Sequence, residues 1–361
     1  MIATARLITT EELVARLGTH DEPFLLDVRE PNEHVEWRIA GARSIPLGEL
    51  PARMDEVPAD REVVVYCASG RRSAAARRLL VDAGRLARDL EGGMRAWSGV
   101  YDTAELPAGG ATIVQVRRRA KGCLSYVVGA GDEAFVVDPS LEVDRYAGIA
   151  REHGWRVTRV FDTHLHADHL SGARMLAART GATLHLDPHD HVDFACEGID
   201  DAFTLSGSVD VTVAPVHTPG HTRGSTMLVV GSAVALTGDT LFVDGVGRPD
   251  LAARVVEFAR ALHHSLHGRV LTLPDATVVL PSHHGEDVVP HPGRVVAATI
   301  GELRATLPEL ALDEDVFVEW CASRTTPTPP GFGEIIAANA RSDADLAALA
   351  PLESGPNRCS A

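Results

Sequence analysis

The sequence predicts two α/β domains in tandem, on three observations. The chain has 361 residues, whereas a single core stops growing at about 250 to 300 residues. Strand-like apolar runs alternate with helical segments over residues 1–102. Beyond Thr112, closely spaced β-rich runs are flanked by helical segments, as in two sheets covered by helices. The reading is a first α/β domain over 1–102, a linker over 103–111, a second domain over 112–335 and a C-terminal tail over 336–361.

Composition narrows the function. Hydrophobic residues make up 45% and charged residues 23%, which excludes a disordered or collagen-like chain. With 34 Lys+Arg against 50 Asp+Glu the formal charge is -16, which repels phosphate backbones and anionic lipid, so neither nucleic acid nor membrane is an expected partner. No apolar run approaches the roughly 20 residues that span a bilayer, and the N-terminus lacks a basic flank before a long apolar stretch. Cys67, Cys123, Cys196, Cys321 and Cys359 are odd in number and far apart, which fits free thiols in a reducing compartment. A cytoplasmic location is expected.

Thr9-Thr10-Glu11-Glu12 has capping-box spacing ahead of Leu13 and Leu17, so a short helix opens the chain. Phe24 to Val28 and Val63 to Tyr66 read as buried strands, and Ser73 to Ala83 as a helix. Thr103 to Ala111, with Pro107 and Gly109-Gly110, shows no periodicity and reads as the linker. In the second domain, strands are expected at 112–116, 123–128, 134–137, 183–186, 209–213, 226–230 and 233–237, with helices over 142–153, 251–266 and 292–305. The Pro-rich run after Arg324 interrupts structure, and the Ala/Ser/Pro-rich end is expected to be loosely held.

The first candidate site is Cys67. It follows a strand and leads through Ala68, Ser69, Gly70, Arg71 and Arg72 into a helix. Unpaired N–H groups at a helix N-terminus favour a thiolate, or the anionic persulfide formed when it accepts sulfur, and the two arginines add positive potential. Four residues separate Cys67 from Arg72 and position 73 is Ser; a cysteine phosphatase needs five to wrap a phosphate and is disfavoured. Leu26-Asp27-Val28-Arg29-Glu30, Ile39-Ala40-Gly41-Ala42 with Ile45-Pro46, the Cys67 loop and Glu91 to Trp97 together resemble a single rhodanese domain. That resemblance implies sulfur transfer through a Cys67 persulfide, with thiosulfate or sulfite as small-molecule partners.

The second candidate site draws on histidine, because 15 of the 17 fall between His153 and His291. His164, His166, Asp168 and His169 crowd one loop at a strand end. His221, Asp239 and His283 each follow a later apolar run, and imidazoles with carboxylates are metal-ligand types. The series resembles the metallo-β-lactamase superfamily and implies an αββα metallo-β-lactamase sandwich after the rhodanese domain. Two ligand sets fit. In the dinuclear zinc hydrolases, His164, His166 and His221 hold one zinc and Asp168, His169 and His283 the other, with Asp239 bridging. In the mononuclear iron branch, the persulfide dioxygenases, one Fe(II) per chain is held by His164, His221 and Asp239, and His166, Asp168, His169 and His283 surround the ligands.

Cys123-Leu-Ser-Tyr, His166-Ala-Asp-His-Leu-Ser-Gly and Thr237 to Leu251, with Gly247-Arg248-Pro249-Asp250, resemble the iron branch. The resemblance implies oxidation of a small thiol persulfide by O2 to sulfite, and a homodimer. The carrier is glutathione by resemblance, with coenzyme A or a protein thiol as alternatives, since His284-Gly285 stands where the animal-type enzymes have acidic and tyrosine neighbours. Arg248 is a candidate contact for an acidic carrier, or a structural ion-pair partner of Asp250 or Asp244. The competing readings are a zinc thioester hydrolase of the glyoxalase II type with a fused rhodanese, and a sulfur carrier or sensor module.

Overall fold

The computed structural model describes residues 6–249, 254–285, 288–324 and 331–353. The chain forms two compact units, one of residues 1–102 with 117–122 and 286–294, the other of 103–116, 123–285 and 295–361.

The first unit holds a five-stranded sheet of β1 (Leu7–Ile8), β2 (Phe24–Asp27), β3 (Arg43–Ser44), β4 (Val63–Tyr66) and β5 (Ala87–Leu90), ordered β1-β5-β4-β2-β3. Its pairings are parallel. Parallel strands covered on both faces read as continuous apolar runs, and all four residues of β4 are buried. Alternate side chains leave a strand on opposite faces: Val63 and Val65 join one core, Val64 and Tyr66 another. Four helices accompany the sheet, α1 (Thr10–Arg16), α2 (Pro31–Glu36), α3 (Arg71–Asp82) and α4 (Gly93–Trp97). The α1 capping box forms, with Thr9 Oγ1 accepting from Glu12 N–H at 3.2 Å. At the end of β2, the buried Asp27 carboxylate is gripped by Arg29 Nε at 2.9 Å and Nη2 at 2.6 Å.

The second unit holds all but the ends of β6 and β7 of two six-stranded sheets. One comprises β6 (Tyr101–Ala108), β7 (Ala111–Arg118), β8 (Cys123–Ala130), β9 (Glu133–Val137), β10 (Arg156–Phe161) and β11 (Thr183–His185), in the order β11-β10-β9-β8-β7-β6. The other comprises β12 (Phe203–Leu205), β13 (Val211–His217), β14 (Thr226–Val230), β15 (Val234–Gly238), β16 (Val278–Pro281) and β17 (Ala298–Thr299), in chain order. Phe135, Phe161 and Phe203 join the sheets, with ring centroids 5.4 to 5.6 Å apart. Strand ends are tied as well: Leu124 N–H donates to Ser282 O at 2.7 Å and Thr226 N–H to Thr163 O at 2.9 Å. On the first sheet lie α5 (Val143–Glu152) and α6 (Ala173–Thr180). Against the second, α7 (Val255–Ser265), α8 (Ile300–Thr306) and α9 (Glu314–Ser323) share a core with Ala235 and Val279. This is the αββα sandwich.

Three expectations differ from the structure. Residues 103–108, expected as linker, continue β6. Ala104 and Ala108 are its buried positions, too weak an apolar signal to register, and Pro107 is tolerated because the strand lies at a sheet edge. The helix expected over 292–305 starts only at Ile300, where Thr299 and Glu302 form a capping box; the residues before it include β17. The tail expected from 336 is ordered to Glu353 as part of α10 (Phe332–Ala340), α11 (Leu346–Leu349) and a final 3-10 turn. Ile335, Ala338 and Leu346 bury apolar surface against Leu170, and alanine-rich composition concealed this short apolar stripe. The residues after Arg324 expected to interrupt structure, Cys359 and part of the Gly247–Leu251 motif lie outside the described residues. Among those described, no helix is long and apolar enough to cross a membrane.

Candidate active sites

Cys67 stands at the carboxyl end of β4 and is buried. Gly70 caps α3 at φ +97°, and its N–H lies 3.2 Å from Cys67 Sγ, while the Ser73 hydroxyl donates to the same sulfur at 3.4 Å. Loop carbonyls are held elsewhere: Met94 N–H donates to Cys67 O at 2.9 Å and Arg95 N–H to Ala68 O at 3.1 Å. This approach requires glycine at 93, where φ is +58° and a Cβ would lie 2.3 Å from Cys67 O. Burial pushes the Cys67 thiol up, but the Ser73 hydroxyl and the N–H groups of Ser73, Ser69 and Gly70 outweigh it and hold the thiol below its ordinary range. Arg72 is bound by Glu33 through two bonds of 2.6 and 2.7 Å, which pull the Glu33 carboxyl down to about 2. Its positive charge is therefore shared with a carboxylate. Arg71 is exposed at the first turn.

In the second unit, the loop after β10 carries the histidines. His164, His221 and Asp239 present three ligand atoms within 4.8 Å of one another. Asp239 Oδ2 lies 3.7 Å from His164 Nε2 and 3.5 Å from His221 Nε2. All three atoms are buried without a hydrogen-bond partner, a costly state unless something else binds there. The far side of each ring fixes its tautomer. His221 Nδ1 lies 3.1 Å from Arg248 O; a carbonyl only accepts, so Nδ1 carries the proton and Nε2 keeps its lone pair. His164 Nδ1 meets Thr163 Oγ1 at 3.0 Å, and that hydroxyl donates onward to Asp138 Oδ2 at 2.8 Å. Burial, with His166 and His221 adjacent, holds His164 well below the usual imidazole range. Such a donor set fits a divalent metal.

The surrounding groups pair with carboxylates. His283 sits between Asp239 Oδ1 at 2.6 Å and Asp168 Oδ2 at 2.9 Å. Burial would discharge it, but Asp168 and Asp239 hold it protonated well above its ordinary range. His169 Nδ1 is 3.1 Å from Asp168, and Cys123 Sγ is 3.7 Å from Asp168 Oδ2. His166 turns Nε2 to Asp138 at 3.2 Å and keeps Nδ1 buried and without a hydrogen-bond partner. Arg248 is buried, and its carbonyl serves His221. Gly247 packs so tightly that a Cβ would lie 1.8 Å from Asp239 O.

Sequence reasoning missed the residues that hold these loops. Asp138, at the end of β9, accepts from Thr163 N–H at 2.7 Å; an Asp-Pro step closing an apolar strand was its available signal. Asp190 accepts from Leu165 N–H at 2.8 Å, Thr222 Oγ1 at 2.8 Å and Gly224 N–H at 2.9 Å, tying the His164 loop to the His221 loop. Also missed was a cavity of about 300 Å³ beside His221, walled by Leu165, Phe258, Phe332 and Ile336, with Arg223 and Arg254 on its lining. Both arginines are half-exposed and face Glu257.

Residues 9–99 match the rhodanese-like domain family and residues 118–283 the metallo-β-lactamase superfamily. A sulfurtransferase of Allochromatium vinosum is 39% identical over 92 residues, covering 25% of this chain and 86% of that protein. The human mitochondrial persulfide dioxygenase ETHE1 is 29% identical over 235 residues, 60% of this chain and 83% of that protein. The crystal structure of ETHE1 from Myxococcus xanthus superposes with a TM-score of 0.54 at 29% identity, covering 63% of this chain and 97% of that one.

Proposed function

From a chain that belongs to the rhodanese-like family over its first domain and to the metallo-β-lactamase superfamily over its second, we propose a persulfide dioxygenase coupled to a sulfurtransferase. The observation that carries the reading is the convergence of His164 Nε2, His221 Nε2 and Asp239 Oδ2, buried and without hydrogen-bond partners, beside an apolar cavity. Likeness to persulfide dioxygenases supports it. Iron(II), when bound by two imidazoles and one carboxylate, supplies redox chemistry and leaves positions for a persulfide sulfur and dioxygen.

The chain's own residues do the rest. Leu165, Phe258, Phe332 and Ile336 exclude water from the carrier's arm, and Arg223 and Arg254 meet its acidic end. The substrate is a small anionic thiol persulfide, with glutathione persulfide the first choice. One persulfide, one dioxygen and one water give the thiol, sulfite and two protons, and the Asp168–His283–Asp239 chain offers those protons a route. At the other site, Cys67 thiolate takes the outer sulfur of thiosulfate, releasing sulfite, and hands it to a thiol acceptor to form a persulfide. The Gly70 N–H and Ser73 hydroxyl hold the anionic sulfur through both steps. Each domain's product is thus a reactant for the other.

Protein purified and loaded anaerobically tests the reading. One iron per chain, with oxygen uptake and sulfite release on glutathione persulfide, supports it; two zinc ions with thioester cleavage and no oxygen uptake sink it. The partnerless Nδ1 of His166 favours the zinc thioester hydrolase as the second reading. A carrier or sensor role requires stable Cys67 persulfidation with no turnover of any persulfide by the iron-loaded chain.

A further inference from the structure

The C-terminal helix lends Phe332 and Ile336 to the cavity wall, and another of its side chains reaches the histidine loop. Asn339 lies on α10 four residues after Ile335, at an apolar position of the helix, and is only 5% exposed. Its amide is fully directed. Nδ2 donates to His166 O at 2.9 Å and to His169 O at 2.8 Å, and Oδ1 accepts from Ser171 N–H at 2.9 Å. Two carbonyls and one N–H leave only one orientation for the amide. The network continues inward: Ser171 Oγ donates to Asp162 at 2.7 Å, and Asp162 stands 3.6 Å from His166 Nε2. Glu353 accepts from Leu170 N–H at 2.5 Å in the same loop.

A helix needing only to be stapled down would place a further apolar residue here, since burying an amide gains little unless every partner is met. We infer that Asn339 is a positioning residue of the metal centre, fixing the path of the loop from His166 to Ser171 so that His164 and the groups beside it meet Asp239 and His221. The inference rests on the metal-binding part of the reading above and holds for iron or zinc alike. Outer groups that orient metal-binding loops change affinity by roughly 10- to 100-fold when removed.

The test uses the full chain stripped of metal and titrated with Co(II), reading affinity by chelator competition and geometry by the visible absorption bands. Asn339→Leu removes all three hydrogen bonds at similar volume. Asn339→Asp keeps the acceptor for Ser171 N–H, loses both donors and serves if the leucine variant does not fold. Each is expected to weaken Co(II) at least about tenfold and to shift the bands. Leu346→Ala, which removes packing under the same segment without touching the loop's polar groups, is expected to lower thermal stability and leave the bands in place. Folded Asn339 variants with the parent's affinity and spectrum overturn the inference, as do bands that move equally in Leu346→Ala. A parent chain that binds no Co(II) removes the metal centre itself, and the inference falls with it.

Discussion

His221 Nδ1 faces the carbonyl oxygen of Arg248 at 3.1 Å, and that bond decides which nitrogen of the ring looks toward Asp239. The Arg248 carbonyl is delivered by a turn in which Gly247 touches the backbone of Asp239. Gly247→Ala must push that turn away from both Asp239 and His221. We expect about a tenfold loss of metal affinity, measured by chelator competition on folded protein.

His164→Gln, His221→Gln and Asp239→Asn should each abolish metal binding at the centre. His283→Gln separates the two ligand sets. With His164, His221 and Asp239 as the whole set, it retains one metal per chain; with two zinc ions, it falls from two to one. Metal content by mass spectrometry of desalted protein decides between them.

Cys67→Ser should end thiosulfate–thiol exchange while oxygen uptake on added persulfide continues. Loss of both activities would contradict separate sites.

Thiolate is the reactive form of Cys67, and its fraction rises as pH climbs through the thiol's pKa. Because the folded thiol is held below its ordinary range, alkylation by iodoacetamide should reach half its maximal rate at a lower pH than for free cysteine, about 8.5. Ser73→Ala removes a donor to the sulfur, so its midpoint should move upward. An unmoved midpoint would show that the Ser73 hydroxyl does not set the thiol's acidity.

Replacing Arg223 and Arg254 together by glutamine should raise KM for glutathione persulfide about three- to tenfold with little change in kcat. The parent's KM should rise with salt and the double variant's should not. Equal salt dependence would place the carrier's acidic end elsewhere.

Much of the fold and of the candidate sites was legible in the sequence because the candidate residues sit where strands end. Cys67 after Val63–Tyr66, the histidines after Phe161, and Asp239 after Val234–Gly238 each follow an apolar run that announces itself. What escaped were residues whose meaning exists only in three dimensions. Asp138, Asp190 and Asn339 belong to no motif the sequence offers; their partners lie 25 to 173 positions away. The strand over 101–108 escaped because small residues fill its inward positions. The helix over 332–340 escaped because its buried apolar stripe is short and partly alanine.

Asp190 has one last consequence. A single carboxylate grips Leu165 on one loop and Thr222 with Gly224 on another, and the cavity is built partly from those same stretches. Neither stretch can swing out alone without breaking a charge-assisted bond in a place where water is scarce. Under the proposed function the same carboxylate would govern both entry of a carrier and escape of the ion, so a variant loosened at Asp190 to admit larger molecules should also lose metal more readily.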